Sequence, residues 1–114
     1  MANIYFNLKH KEVLDSILLE LPGVVPGKMF GYPAYYVEGK LFACVYEEGV
    51  GLKVPEKMAE DLIGREGISY FQPMGRRRMK EWIQIDRASS DEYLKDRGIF
   101  EISLRFVSSL SKRR

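Results

Sequence analysis

The stretch from Tyr35 to Lys53 leaves few architectures open to this chain. It holds three short apolar runs, Tyr35-Tyr36-Val37, Leu41 to Tyr46 and Val50 to Val54, separated by Glu38-Gly39 and Glu47-Glu48-Gly49. Short runs rich in β-branched and aromatic residues, broken by glycine-bearing turns, form an antiparallel meander. In the middle run both alternating sets, Leu41/Ala43/Val45 and Phe42/Cys44/Tyr46, are largely apolar. A sheet with one wet face shows polar residues at every second position. The middle strand is therefore expected at the centre of a sheet, covered on both faces.

Helical spacing of Leu14, Ile17, Leu18 and Leu21 predicts an amphipathic helix over about residues 8 to 21, ended by Pro22-Gly23. The stretch that follows carries Gly23, Gly27 and Gly31 among Pro22, Pro26 and Pro33, and reads as a loop feeding the sheet. Pro55 suits the first position of a short helix with Met58, Leu62 and Ile63 on its apolar side. Ile68 to Phe71 and Lys80 to Ile85 read as two more strands joined by a basic, turn-rich loop. Ser89 with Glu92 forms a capping-box pattern opening a last helix, which Gly98 bends or splits. The expected fold is α+β: an antiparallel sheet of about five to six strands with an N-terminal helix, a short middle helix and a C-terminal helix.

At 114 residues the chain suits one domain, residues 1–114 with a basic tail at 111–114. Hydrophobic residues at 46% and charged residues at 30% place it among folding sequences rather than disordered ones. A net charge of +2 is too small to argue for nucleic acid or an anionic membrane unless basic residues cluster. The longest apolar run, Leu41 to Tyr46, is far shorter than a membrane span needs. The N-terminus lacks a secretory pattern, and one cysteine, Cys44, suits a reducing compartment. A cytoplasmic location is expected.

The segment Lys28-Met29-Phe30-Gly31-Tyr32-Pro33-Ala34-Tyr35-Tyr36-Val37-Glu38-Gly39-Lys40-Leu41-Phe42-Ala43 resembles the opening of TfoX N-terminal domains, where a Met-Phe-Gly turn leads to a strand, a Gly-Lys turn and a second strand. Leu52-Lys53-Val54 with the helix after it, Phe71-Gln72-Pro73-Met74-Gly75-Arg76 and Met79-Lys80-Glu81-Trp82 resemble later blocks of the same family in the same order. The likeness covers about residues 24 to 110. It implies an α+β fold related to YjbR-like domains, and a link to the TfoX/Sxy regulators that govern natural competence with the cyclic-AMP receptor protein. Those regulators carry a second, helical domain that has no counterpart before Arg114, so the competence role does not transfer by likeness alone. The family supplies no catalytic residue to map.

One histidine and one cysteine cannot build a structural zinc site in a monomer, and no cofactor motif is present. His10, at the start of the first helix, reads as a solvated surface histidine. Cys44 sits in the most apolar strand and reads as a core residue, since burial raises a thiol pKa. Glu38, Glu47 and Glu48 fall at turns, where nothing sets two carboxylates in contrasting environments for acid/base work. No catalysis is expected. Tyr32, Tyr35 and Tyr36 read as packing residues.

The candidate binding surface is Arg76, Arg77, Arg78 and Lys80 with Trp82. Guanidinium forks suit phosphate or carboxylate, and an indole face can stack. If Ile83 and Ile85 face the core, Trp82 faces a helix, a partner or a shallow cleft. The competing interpretation of the arginines is a solvated hairpin tip. The expected function is a non-catalytic regulatory or protein-interaction module, its partner a protein such as a transcription regulator. The alternative is a weak nucleic-acid or anion binder using the Arg76–Lys80 loop, helped by Lys112, Arg113 and Arg114. A third reading, a small-ligand binder or enzyme, requires a concave site where Trp82 or a tyrosine meets a buried charge such as Lys53. A homodimer is left open.

Overall fold

In the computed structural model, which describes residues 4–75 and 77–110, three helices lie on one face of a six-stranded antiparallel sheet. The elements in chain order are α1 (Leu8–Leu18), β1 (Val24–Met29), β2 (Tyr32–Val37), β3 (Lys40–Tyr46), β4 (Gly49–Lys53), α2 (Glu56–Leu62), β5 (Ile68–Tyr70), β6 (Trp82–Asp86) and α3 (Arg97–Leu110). Strand order across the sheet is β1-β2-β3-β4-β6-β5. The meander and the hairpin thus meet at the β4/β6 pair, and β3 and β4 occupy the centre, as the two-sided apolar pattern required.

The α+β expectation holds, with several local differences. The Pro/Gly-rich segment expected as a loop contains β1, an edge strand. Proline is admitted there because an edge strand needs no donor on its free side. Its neighbour Gly27 lets the Tyr36 ring lie where a Cβ would otherwise stand, and Tyr36 donates to the Lys28 carbonyl at 2.8 Å. The helix α1 ends at Leu18, earlier than its apolar spacing implies. Asn7 caps its start by accepting from the His10 backbone N–H at 3.1 Å. Pro55 is the residue before α2 rather than its first turn. The Ser89/Glu92 capping box is present, but it opens a 3₁₀ segment, Ser90–Asp96, and α3 begins only at Arg97.

The pairing of β2 with β3 carries a β-bulge: Tyr35 opposes Ala43, whereas Tyr36 opposes Leu41. Phe42 is the extra residue, and a bulge of this kind re-aims the side chains around it. Strict alternation would put Leu41 with Ala43 and Val45. Instead Phe42 joins Ala43 and Val45 under the helices, and Leu41 turns to the face of Cys44 and Tyr46.

The main core lies between the sheet and the helices, and includes Leu14, Leu18, Phe42, Leu52, Ile83, Ile85, Phe100 and Val107. Two polar contacts are set into it. His10, expected at the surface, is 3% exposed, and its Nδ1 is joined by a 2.9 Å hydrogen bond to the buried Tyr93 hydroxyl. Burial raises the Tyr93 pKa. The α1 start is drawn inward because the 3₁₀ segment brings Tyr93 against it. Asp96, equally buried, takes a two-pronged contact from Arg87 at 2.7 and 3.0 Å, and Arg87 also donates to the Glu66 carbonyl at 2.9 Å. This clip fastens the segment before α3 to the β5/β6 end of the sheet.

Candidate functional site: an apolar slot on the helix-free face

Among the described residues, no α-helix lies over the second face of the sheet. A row of small or polar residues runs straight across it: Gly27, Ala34, Cys44, Gly51, Gln84 and Ser69, each paired with the next. Side chains on one row of a ladder project to the same side, so this row is a trough. A Cβ on Gly51 would stand 2.8 Å from the Phe71 ring, which means that Phe71 lies in the trough where β4 has no side chain. From there four rings cross the face in contact. Tyr32 and Tyr46 have centroids 4.8 Å apart, Tyr46 and Phe71 5.4 Å, and Phe71 and Trp82 5.6 Å.

Two stretches of chain close the ends of this face. Residues 4 to 7 strap one end: Asn7 donates to the Glu47 carbonyl and Glu47 to the Tyr5 carbonyl, both at 3.0 Å, and the Tyr5 hydroxyl binds Glu48. Residues 71–75 and 77–81 fold back over the other end, held by the Met74 N–H donating to the Tyr46 hydroxyl at 2.8 Å and by Phe71 and Trp82 backbone bonds. Between them remains a slot of about 140 Å³ lined by Met29, Phe30, Leu41, Phe71, Pro73, Met79 and Trp82. Among the described residues, no charged group is among its walls.

Two of the large apolar residues at this face adopt a backbone that bulky side chains avoid. Phe30 has φ 50° in the two-residue β1–β2 turn and is 62% exposed; Met74, beside Pro73, has φ 56° and is 44% exposed. The left-handed region is uncommon for non-glycine residues and costs roughly 1–3 kcal/mol where the surroundings impose it. Phe30 is a wall of the slot, and Met74 follows another wall, Pro73, in sequence.

The predicted surface residues divide. Trp82 is half-buried and faces neither helix nor open water but the slot, which answers the question its alternation left open. Arg77, Arg78 and Lys80 are exposed on the loop that also supplies Met79. Arg78 lies over the Tyr70 ring, 4.6 Å from its centroid. Lys80 lines a second, wider recess of about 400 Å³ with Lys53, Glu56, Met79, Glu81 and Trp82, so the two recesses share Met79 and Trp82. Lys53 there is paired with Glu81 at 3.5 Å and lies 5.8 Å from the Trp82 ring centroid. Arg76 and the tail at 111–114 lie outside the described residues.

A family model with the description YjbR matches residues 19–102. The chain belongs to the YjbR family. YjbR is a TfoX N-terminal-like family, so the resemblance carried by the Met-Phe-Gly turn and the blocks after it is sound. The match spans the meander, the arginine loop and the start of α3 of this YjbR protein, and so includes every wall of the slot. No curated protein and no solved structure matches the chain.

Sequence reasoning found Trp82 and the cations but missed Phe30, Leu41, Phe71 and Met79 as walls. One signal was available for Phe30: a bulky residue directly before Gly31 in a two-residue turn is forced to positive φ. Tyr32 and Tyr35 are buried and Tyr36 half-buried, in keeping with packing roles; Tyr35 also donates to Asp15 at 2.5 Å. Cys44 is fully buried, and burial pushes its thiol pKa up to about 12. Among the described residues no helix is long and apolar enough to cross a membrane, and no group of three His, Cys, Asp or Glu side chains could hold a metal ion.

Proposed function

We propose that this YjbR protein is a non-catalytic regulatory module that docks a protein partner on the helix-free face of its sheet. The observation that carries the reading is the slot between Phe30 and Trp82. It is apolar, it adjoins exposed cations, and Phe30, one of its walls, is held in strained backbone. Large apolar side chains lining a rimmed recess are the usual anchors of recognition surfaces. The buried, protonated thiol of Cys44 and the engagement of His10 with Tyr93 favour a role without covalent or acid/base chemistry.

A photo-crosslinking aromatic residue placed at position 30 in the full chain tests this, with the same residue at exposed Leu94 as control. The expected outcome is a protein adduct formed at position 30 and not at 94, whose identified partner binds the pure chain and is lost with Trp82→Ala. Equal labelling at both positions, or turnover of a substrate by the pure chain, counts against it.

The exposure of Arg77, Arg78 and Lys80 on one loop favours a second reading, a nucleic-acid or anion binder. With Arg76 that loop would neutralise about four phosphates and give a log-log salt slope near about −3.6 on duplex DNA. A flat salt response removes it.

A further inference from the structure

We propose that the slot receives one bulky apolar side chain from an acidic segment of a partner protein, whose carboxylates on either side engage Arg77, Arg78 and Lys80. This rests on the protein-docking reading and names the chemistry of the partner.

The apolar half of the inference comes from the recess itself. A slot of about 140 Å³ is well below the roughly 300–1,000 Å³ of small-molecule pockets. It is the right scale for a single side chain. Among the described residues its walls offer Phe30, Leu41, Met79 and Trp82 but no charge, so a polar occupant would lose its hydration with little in return. Methionine and aromatic walls adapt to an inserted ring or branched chain.

The acidic half comes from the rim. Among the described residues, no carboxylate lies within ion-pair distance of Arg77, Arg78 or Lys80. Glu81, the nearest acid in sequence, is drawn to Lys53 instead. Glu56, the other acid of the wider recess, sits in the first turn of α2, where the helix dipole favours its charge. Arg78 holds its guanidinium carbon 4.6 Å from the Tyr70 ring centroid, a contact with the ring that leaves its N–H groups to fork onto a carboxylate. Lys80 faces the recess that shares Met79 and Trp82 with the slot, which sets a cation beside the seat of the apolar side chain.

Two other occupants fit less well. Stacking of single-stranded bases needs open ring faces, yet Tyr32 and Tyr46 are buried and Trp82 is packed against Phe71 at an interplanar angle of 39°. An extended strand added to the nearest edge would pair with β1, where Pro26 offers no donor.

Trp82 is the chain's one tryptophan, and its fluorescence reports on the slot directly. The probe is an acidic peptide with a central phenylalanine flanked on both sides by Asp and Glu, titrated into the full chain. Saturable change in Trp82 emission is expected. Affinity should fall about tenfold when the central residue becomes alanine, and again when Arg77→Glu and Arg78→Glu are introduced together. Those two residues are exposed, so the variant keeps its fold, and circular dichroism confirms this. A peptide with lysine flanks binding equally well overturns the inference. If the acidic peptide fails while the position-30 crosslink still yields a reconstitutable protein partner, the acidic class falls and the docking reading stands. If instead an oligonucleotide binds and changes Trp82 emission while no peptide does, both fall.

Discussion

On one face of the sheet, α1, α2 and α3 bring Leu14, Leu62, Phe100 and Val107 onto a continuous layer of β-branched and aromatic residues; on the other, among the described residues, the 4–7 strap and residues 71–75 and 77–81 lie over the trough. The difference is in how each face is filled. Under the helices, side chains from strands and helices interlock to native density, so removal of any one leaves a void. Across the trough, Gly27, Ala34, Cys44 and Gly51 contribute almost no volume, and rings supplied from neighbouring strands and from the loop fill part of what is missing. The unfilled remainder is the slot. One layer is filled, the other keeps an apolar slot.

The residues at the bulge supply the sharpest way to break this contrast, because Leu41 and Phe42, adjacent in sequence, belong to opposite faces. Phe42→Ala should cost about 3–5 kcal/mol, since a fully buried ring is deleted under the helices. Leu41→Ala, one residue earlier, should cost roughly 1–2 kcal/mol, because Leu41 is half-buried at the slot wall. Urea denaturation with unchanged m-values measures both. Equal losses would mean that the two faces are packed alike.

The next largest effect concerns the clip that holds the helical layer down. Asp96→Ala should cost about 3 kcal/mol by leaving the mostly buried Arg87 cation without its carboxylate. Pairing it with Arg87→Met should recover much of that loss in the same urea assay, as removal of both charges leaves nothing unmatched. The slot lies on the far face, so peptide binding by either variant should be unchanged.

Gly51→Ala probes the trough. The added Cβ meets the Phe71 ring at 2.8 Å, so the ring must move. A loss of about 1–3 kcal/mol is expected, with a shift in Trp82 emission, because Phe71 and Trp82 are in contact. The helix-covered core should keep its far-ultraviolet circular dichroism.

How much of this was legible beforehand follows from where each signal is local. The meander was legible because Glu38-Gly39 and the two-sided apolar run Leu41 to Tyr46 declare turn and central strand within a few residues. The capping box was legible for the same reason. Strand β1 was hidden because Pro26 and Gly27 carry loop propensity, and only the tertiary neighbour Tyr36 makes them serviceable in an edge. His10 was misplaced because its partner, Tyr93, is 83 residues away. At the site, Trp82 and the cations stood out by residue type, but the slot depends on Leu41 changing faces at the bulge and on Phe71 dropping over Gly51. Neither follows from alternation.

The smallest effect comes from the floor of the trough. Burial raises the Cys44 pKa from 9.0 to about 12, so the folded chain holds this proton more tightly than the unfolded chain does. The sign follows from linkage: the stabilisation is complete below pH 9 and is lost as pH climbs toward 12, because the unfolded state alone ionises its thiol in that window. By about pH 10 the loss should be about 1 kcal/mol. Tyr35 and Tyr93, whose pKa values burial also raises, add an alkaline loss from the helix-covered face that begins above their ordinary value of 10.0. Cys44→Ala separates the two faces. Urea midpoints of wild type and variant should run parallel up to about pH 9, and above it the wild type should fall faster. Parallel curves throughout would mean that water reaches the thiol, and that the trough beneath Phe71 is open where packing has it closed.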